Sequence, residues 1–169
     1  MPTNPAAVRT KRYALPTKKY ITLAMRYFFK TQLKWGLIPL ALILINAVLN
    51  LTGVYPNLWI YITVFVGALL YVLFWLVQFT GITQLAQYKP MFEKFSYEID
   101  NRQILMKLNQ KEGSVMKWEQ IMDAYKDKEA YVLVISKGQF LYLPFSIFTS
   151  EHDIKVFERI MKQKDFLKA

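Results

Sequence analysis

His152 is the single histidine of the chain and stands between Glu151 and Asp153 at the start of an expected C-terminal helix. Acid–base or nucleophilic chemistry needs a proton carrier or nucleophile held beside a group that tunes it. Flanked by two carboxylates in a first helical turn, His152 reads as a surface residue instead. Asp123, Asp127 and Glu129 come nearest to a carboxylate cluster, but Lys126 and Lys128 stand among them and make a solvated edge of mixed charge. There is no cysteine, which excludes disulfides, thiolate metal sites and thiol nucleophiles. Phosphate-cradling glycine loops, serine elbows and paired metal-binding histidines do not occur either. No catalytic residue, metal or cofactor is therefore expected, and the chain reads as something other than an enzyme.

Binding chemistry has more candidates. Trp118, Tyr142, Phe145 and Phe148 could line a groove for a peptide or lipid; the competing reading is that a domain of about 80 residues needs every large side chain in its core. Asn46 and Asn50, four apart, share a helix face and could hydrogen-bond a partner helix, a contact typically worth about 0.6 kcal/mol in membranes. A solute path is the other reading of that pair, opposed by the lack of any ionisable residue nearby. Gly67, beside Ala68, could mark a close helix approach. Lys18, Lys19, Arg26, Lys30 and Lys34 form a series of cations suited to anionic lipid headgroups at the membrane surface.

What must position these groups follows from the charge pattern. Residues 35 to 88 contain no Asp, Glu, Lys, Arg or His, a charge-free stretch of 54 residues. Surface helices of water-soluble domains need charged faces, so this stretch predicts lipid as its solvent. It divides into an apolar run over 35–51, about 26 Å long as a helix, and a second over 58–82, about 37 Å long. Thr52 to Asn57, with Gly53 and Pro56, permits only an antiparallel return, giving a transmembrane hairpin. The net charge of +10 is uneven: residues 1–34 hold eight cations and no acid, and residues 89–169 hold fourteen cations and twelve acids. Positive flanks on both sides of an uncharged connection put both termini in the cytoplasm, with the chain multi-pass in the inner membrane. A cleavable signal peptide is the competing reading of the first run; the long basic region and the missing small-residue cleavage site oppose it. Such a basic arm also suits nucleic acid, but one leading straight into a span reads as a contact for the bilayer and its anionic headgroups. Within the arm, 17–34 has the pattern of an amphipathic helix, lying in the headgroup region or packed on the soluble domain.

After Pro90 the pattern changes to short alternating runs. Phe92, Phe95, Tyr97 and Ile99 predict a first strand, Ile104, Met106 and Leu108 a second, and Ser114 to Trp118 a third, with turns at Asp100-Asn101-Arg102 and at 109–113. A bend over 118–122 leads to a strand near 124–126. Tyr131 to Ile135 and Gln139 to Leu143 flank a Lys137-Gly138 turn. Ser150 is the expected N-cap of an amphipathic helix carrying Ile154, Phe157, Ile160 and Met161 on one stripe. The fold class is thus a membrane α-hairpin plus α+β. It divides into an arm at 1–34, a hairpin at 35–88, and at 89–169 a small antiparallel sheet or partly open barrel closed by a C-terminal helix.

The hairpin, the strand-rich stretch with Lys117-Trp118-Glu119-Gln120-Ile121, and Tyr142-Leu143-Pro144-Phe145-Ser146-Ile147-Phe148 before a terminal helix together resemble the YcxB-like proteins of bacteria. The resemblance implies a soluble domain similar to pleckstrin-homology (PH-like) folds. Family members often carry a basic residue after the proline, where this chain has Phe145. Function is expected to be a membrane-anchored binding module with a lipid or protein ligand, or alternatively an accessory subunit of a larger transporter or enzyme; no nucleic-acid partner is expected.

Overall fold

The computed structural model describes residues 7–55, 57–109 and 112–167, with Leu33 described by its backbone alone. Pro56 of the expected connection and Gln110-Lys111 of the turn at 109–113 lie outside the described residues. The chain forms two compact units, one of Met1–Tyr20 with Ala86–Ala169 and one of Ile21–Leu85.

The α+β unit starts with β1 (Val8–Arg9), pairing with β2 (Ser96–Ile99), which pairs with β3 (Gln103–Lys107), which pairs with β4 (Gly113–Lys117), all antiparallel. The tight β2–β3 turn is held by Asp100, whose Oδ1 accepts the N–H groups of Arg102 and Gln103, each at 2.8 Å. Gly113 opens β4 because a Cβ there would lie 2.7 Å from the Met106 carbonyl oxygen. A second sheet holds β5 (Asp123–Lys126), β6 (Ala130–Ser136) and β7 (Gln139–Pro144) in that order. Then comes α4 (Glu151–Gln163), capped by Ser150, whose Oγ accepts the Asp153 N–H at 3.2 Å.

One core joins these layers. Ile99, Ile104 and Met116 of the first sheet, Tyr131, Leu133 and Leu143 of the second, and Phe157 and Met161 of α4 belong to it. Strand β6 is apolar almost throughout because both its faces are covered: Tyr131 and Leu133 point to the core, and Val132 and Val134 alternate to the other face, paired with Tyr142 and Phe140.

Three expectations need correction. The first strand begins at Ser96; Phe92 ends a 3-10 segment, Ala86–Phe92, containing Pro90, whose ring removes an N–H and prevents ladder pairing. Residues 8 and 9 are no free arm but an edge strand, which the Lys11 N–H continues by bonding the Ile147 carbonyl at 2.7 Å. Where one small sheet or a partly open barrel was expected, the strands among the described residues build two small antiparallel sheets and no closed barrel.

The other unit is helical. Helix α1 (Thr17–Gln32) enters it from the α+β unit and runs through a 3-10 link, Leu33–Gly36, into α2 (Leu37–Leu51). Gly53, at φ +72°, ends the helical path, and α3 (Trp59–Ile82) returns against α2. Asn57 Oδ1 accepts the Trp59 N–H at 3.0 Å where α3 begins. Two helical segments, Lys34–Leu51 and Trp59–Ile82, are long and apolar enough to cross a membrane. Their surface is apolar and outward-facing: Ile45, Val48, Phe65, Leu70 and Val77 are all exposed. A soluble protein's core helix would hide such side chains. Phe28 of α1 packs its ring on Tyr71 and Trp75 of α3, at 5.7 and 5.2 Å.

Candidate functional site

The first turn of α1 lies on the outer face of the β5–β7 sheet. Tyr20 is fully buried, stacks edge-on to Phe92 at 5.4 Å and donates its hydroxyl hydrogen to the Gly138 carbonyl at 2.8 Å. Lys19 pairs with Glu129 at 3.4 Å and sits 5.2 Å from the centre of the Tyr142 ring. Tyr142 raises the Lys19 pKa first of all, through a hydrogen bond.

Beside this contact an apolar groove of about 290 Å³ opens between the two sheets. Met106 and Met116 of the first sheet form one wall, Ile135 and Tyr142 of the second form another, and Leu15 and Met91 close it where the chain leaves and rejoins the unit. Methionine is unbranched and polarizable, so such walls adapt to irregular apolar shapes. Ser114 and Gln139 bring the side-chain hydroxyl and amide to the rim. Burial pushes Tyr97, another wall residue, up to about 12 and Tyr13 upward as well, so both phenols stay protonated at neutral pH. The groove is built for shape and apolar contact.

A charged cluster lies elsewhere in the unit. Glu158 of α4 accepts from Lys126 Nζ at 2.7 Å and from the Tyr131 hydroxyl at 2.6 Å, while Lys126 lies over the Phe145 ring. The Lys126 hydrogen bond, followed by that of Tyr131, holds the Glu158 carboxyl below the usual range. Burial and Glu158 push the Tyr131 phenol up. Both bonds fall on the same Glu158 oxygen, Oε1, which makes the cluster a clasp between β5, β6 and α4. Among the described residues, no group of three His, Asp or Glu side chains converges as a metal site would.

The four aromatic candidates do not share one groove. Tyr142 lines it. Trp118 and Phe148 are buried around Phe157, with ring centres 6.4 and 5.5 Å away, and Trp118 donates to the Asp100 carbonyl at 2.8 Å. Phe145 belongs to the clasp, against Tyr131 at 5.0 Å. Leu15, Met91, Met106 and Met116 of the groove were missed by sequence reasoning, because nothing in their local pattern separates a groove wall from a core.

In the helical unit Asn50 Nδ2 donates to the Asn46 backbone carbonyl at 2.8 Å on its own helix. The Asn46 side chain is 1% exposed and neither of its polar atoms has a partner among the described residues. A Cβ on Gly67 would meet nothing within 4 Å, so Gly67 faces open space and not a neighbouring helix. Of the headgroup candidates, Lys19 pairs with Glu129 and lies against Tyr142; Arg26, Lys30 and Lys34 are exposed residues of the helical unit. Lys18 is exposed on the first turn of α1.

Two apolar helices long enough for a bilayer, joined to a two-sheet α+β unit with a terminal helix, define a chain of the helical-hairpin-plus-domain class. Residues 99–161, from the end of β2 into α4, match the family model described as YcxB-like protein. No curated protein and no solved structure matches the chain.

Proposed function

We propose that the protein is a membrane-anchored, non-catalytic binding module whose PH-like α+β unit takes an apolar segment of a partner protein. The observation that carries this reading is the groove between the sheets, lined by Met106, Met116, Ile135 and Tyr142. Its volume is near the lower end of the roughly 300–1,000 Å³ typical of ligand pockets. Two small antiparallel sheets with a C-terminal helix support the PH-like assignment. The apolar outward faces of α2 and α3 support membrane insertion, and the cations before α2 support an orientation with both termini in the cytoplasm. Anchoring keeps the module at the membrane, where a raised effective concentration makes weak recognition sufficient.

The test uses a photo-crosslinking residue at Ser114 of the full chain in its native membrane. Capture of a discrete partner, abolished by Met106→Trp, is expected; no adduct above that of an exposed control position such as Glu119 overturns the reading. Because the chain has no cysteine, single cysteines at Asn57 and Lys164 report topology, with only the first reacting from outside.

A second reading, an accessory subunit of a larger membrane complex, is favoured by Asn46. Its amide is buried without a partner among the described residues, and a polar group in a bilayer gains from an interhelical hydrogen bond. Migration of the protein as a lone monomer from mildly solubilised membranes counts against it.

A further inference from the structure

The first sheet ends at β4, which among the described residues pairs with β3 alone. Every residue of β4 except Met116 is exposed, Val115 at 44%. Residues of an antiparallel strand turn their backbone groups alternately to one neighbour and to the other. The Leu108 N–H donates to the Glu112 carbonyl at 3.0 Å, so Ser114 and Met116, in step with Glu112, turn theirs to β3, and Gly113, Val115 and Lys117 turn theirs to the open side. Lys117 agrees: its N–H donates to the Gln120 side-chain oxygen at 2.9 Å, which closes that end of the edge. Val115, in the middle, is left with an outward N–H and C=O and an exposed apolar side chain. Such an edge is a template for another strand.

We infer that the edge of β4 docks a second copy of this chain, the two β4 strands running antiparallel with Val115 facing Val115. The register selects a copy. Each Val115 donates to and accepts from its counterpart, and the two exposed side chains cover each other. Each Lys117 then lies opposite Gly113 of the other copy, which has no side chain, and next to Glu112, so opposite charges stand at adjacent positions twice by symmetry. The two Lys117 residues are separated by four positions of the ladder, about 13 Å, beyond the roughly 8 Å screening length of physiological salt. Centring on Ser114 instead would set Val115 against Gly113 and leave it uncovered, and centring on Met116 would need the Lys117 N–H that Gln120 holds. The groove takes Ser114 and Met116 from the inner face of the same strand, so docking at the edge leaves its walls in place. Anchoring in one membrane raises the effective concentration of the two copies, which lets so short an edge suffice; to that extent the inference rests on the membrane-anchored reading above.

The chain has no cysteine, so single cysteines in the full-length protein, oxidised mildly in its native membrane, report the contact. Val115→Cys should give a disulfide-linked dimer, because paired residues there stand about 5.5 Å apart between Cα atoms. Lys117→Cys and Met122→Cys, also exposed but out of reach of their counterparts, should give about tenfold less. Copies labelled at Lys164→Cys with donor and acceptor dyes and reconstituted together in vesicles should transfer energy. Adding Val115→Lys, which sets two like charges face to face, should abolish the transfer. Val115→Pro should do the same while keeping the fold, since the β3–β4 ladder does not use the Val115 N–H. No dimer from Val115→Cys, equal yields at all three positions, a crosslink to a protein of another mass, or energy transfer that survives both Val115 variants each overturns the inference. Alkaline carbonate extraction separates the two failures: if the wild-type chain stays in the membrane pellet, the anchored reading survives; if it is released, both fall.

Discussion

The Tyr20 hydroxyl reaches the carbonyl of Gly138, 118 positions away in sequence, at 2.8 Å. This bond ties the first turn of α1 to the tip of the β6–β7 hairpin. Tyr20→Phe should cost about 0.5–1.5 kcal/mol, the net value of one such bond. Tyr20→Ala also removes the ring between Phe92 and Phe140 and should cost about 3–5 kcal/mol. Urea unfolding of the detergent-solubilised chain, followed by tryptophan fluorescence, measures both.

The Glu158 clasp predicts acid sensitivity. Its carboxyl is held below the ordinary range by Lys126 and Tyr131, so the unfolded state binds the proton first as pH falls. The stabilisation is complete above the unfolded carboxylate range, near pH 4.5, and is lost as pH drops through the lower folded value. Glu158→Gln should cost about 1–2 kcal/mol at neutral pH, the modest end for bonds to a charged acceptor because Lys126 is half exposed. The variant should also show a flatter acid limb in a melting series from pH 3 to 6.

At alkaline pH the sign reverses. Burial raises the phenols of Tyr20 and Tyr97 to about 12 in the folded chain, while in the unfolded chain they ionise near 10. Between these values the folded state holds the extra protons, so stability is full below pH 10 and falls as pH rises through 12. Tyr97→Phe should blunt this fall. Absorbance at the phenolate band, recorded alongside unfolding, should show these two phenols titrating only with loss of structure.

Asn46→Leu separates a lone hairpin from one with a partner helix. If the amide stays unpaired in the membrane, replacing it with an apolar side chain should leave hairpin stability unchanged or raise it. If a partner subunit satisfies it, the complex should weaken by about 0.6–2 kcal/mol. Steric trapping of the hairpin, together with native gel migration of the complex, reads both outcomes.

Much of this architecture is legible in the amino-acid order, and the division has a physical cause. The charge-free run from 35 to 88, the alternation of β2 and β3, the continuous apolar run of β6 and the Ser150 cap of α4 are local signals, because solvation and backbone periodicity act over a few residues. The pairing of Val8–Arg9 with Glu98 and Ile99 left no such trace: two residues carry no periodicity, and their partners lie about ninety positions away. Composition alone could not say that Trp118 and Phe148 fill a core while Tyr142 borders a groove, since a large apolar side chain suits either. Gly67 facing open space and Lys19 lying against Tyr142 were likewise decided only by folding. Which apolar surface is left uncovered depends on every other element having found its place, and that is a property of the whole structure.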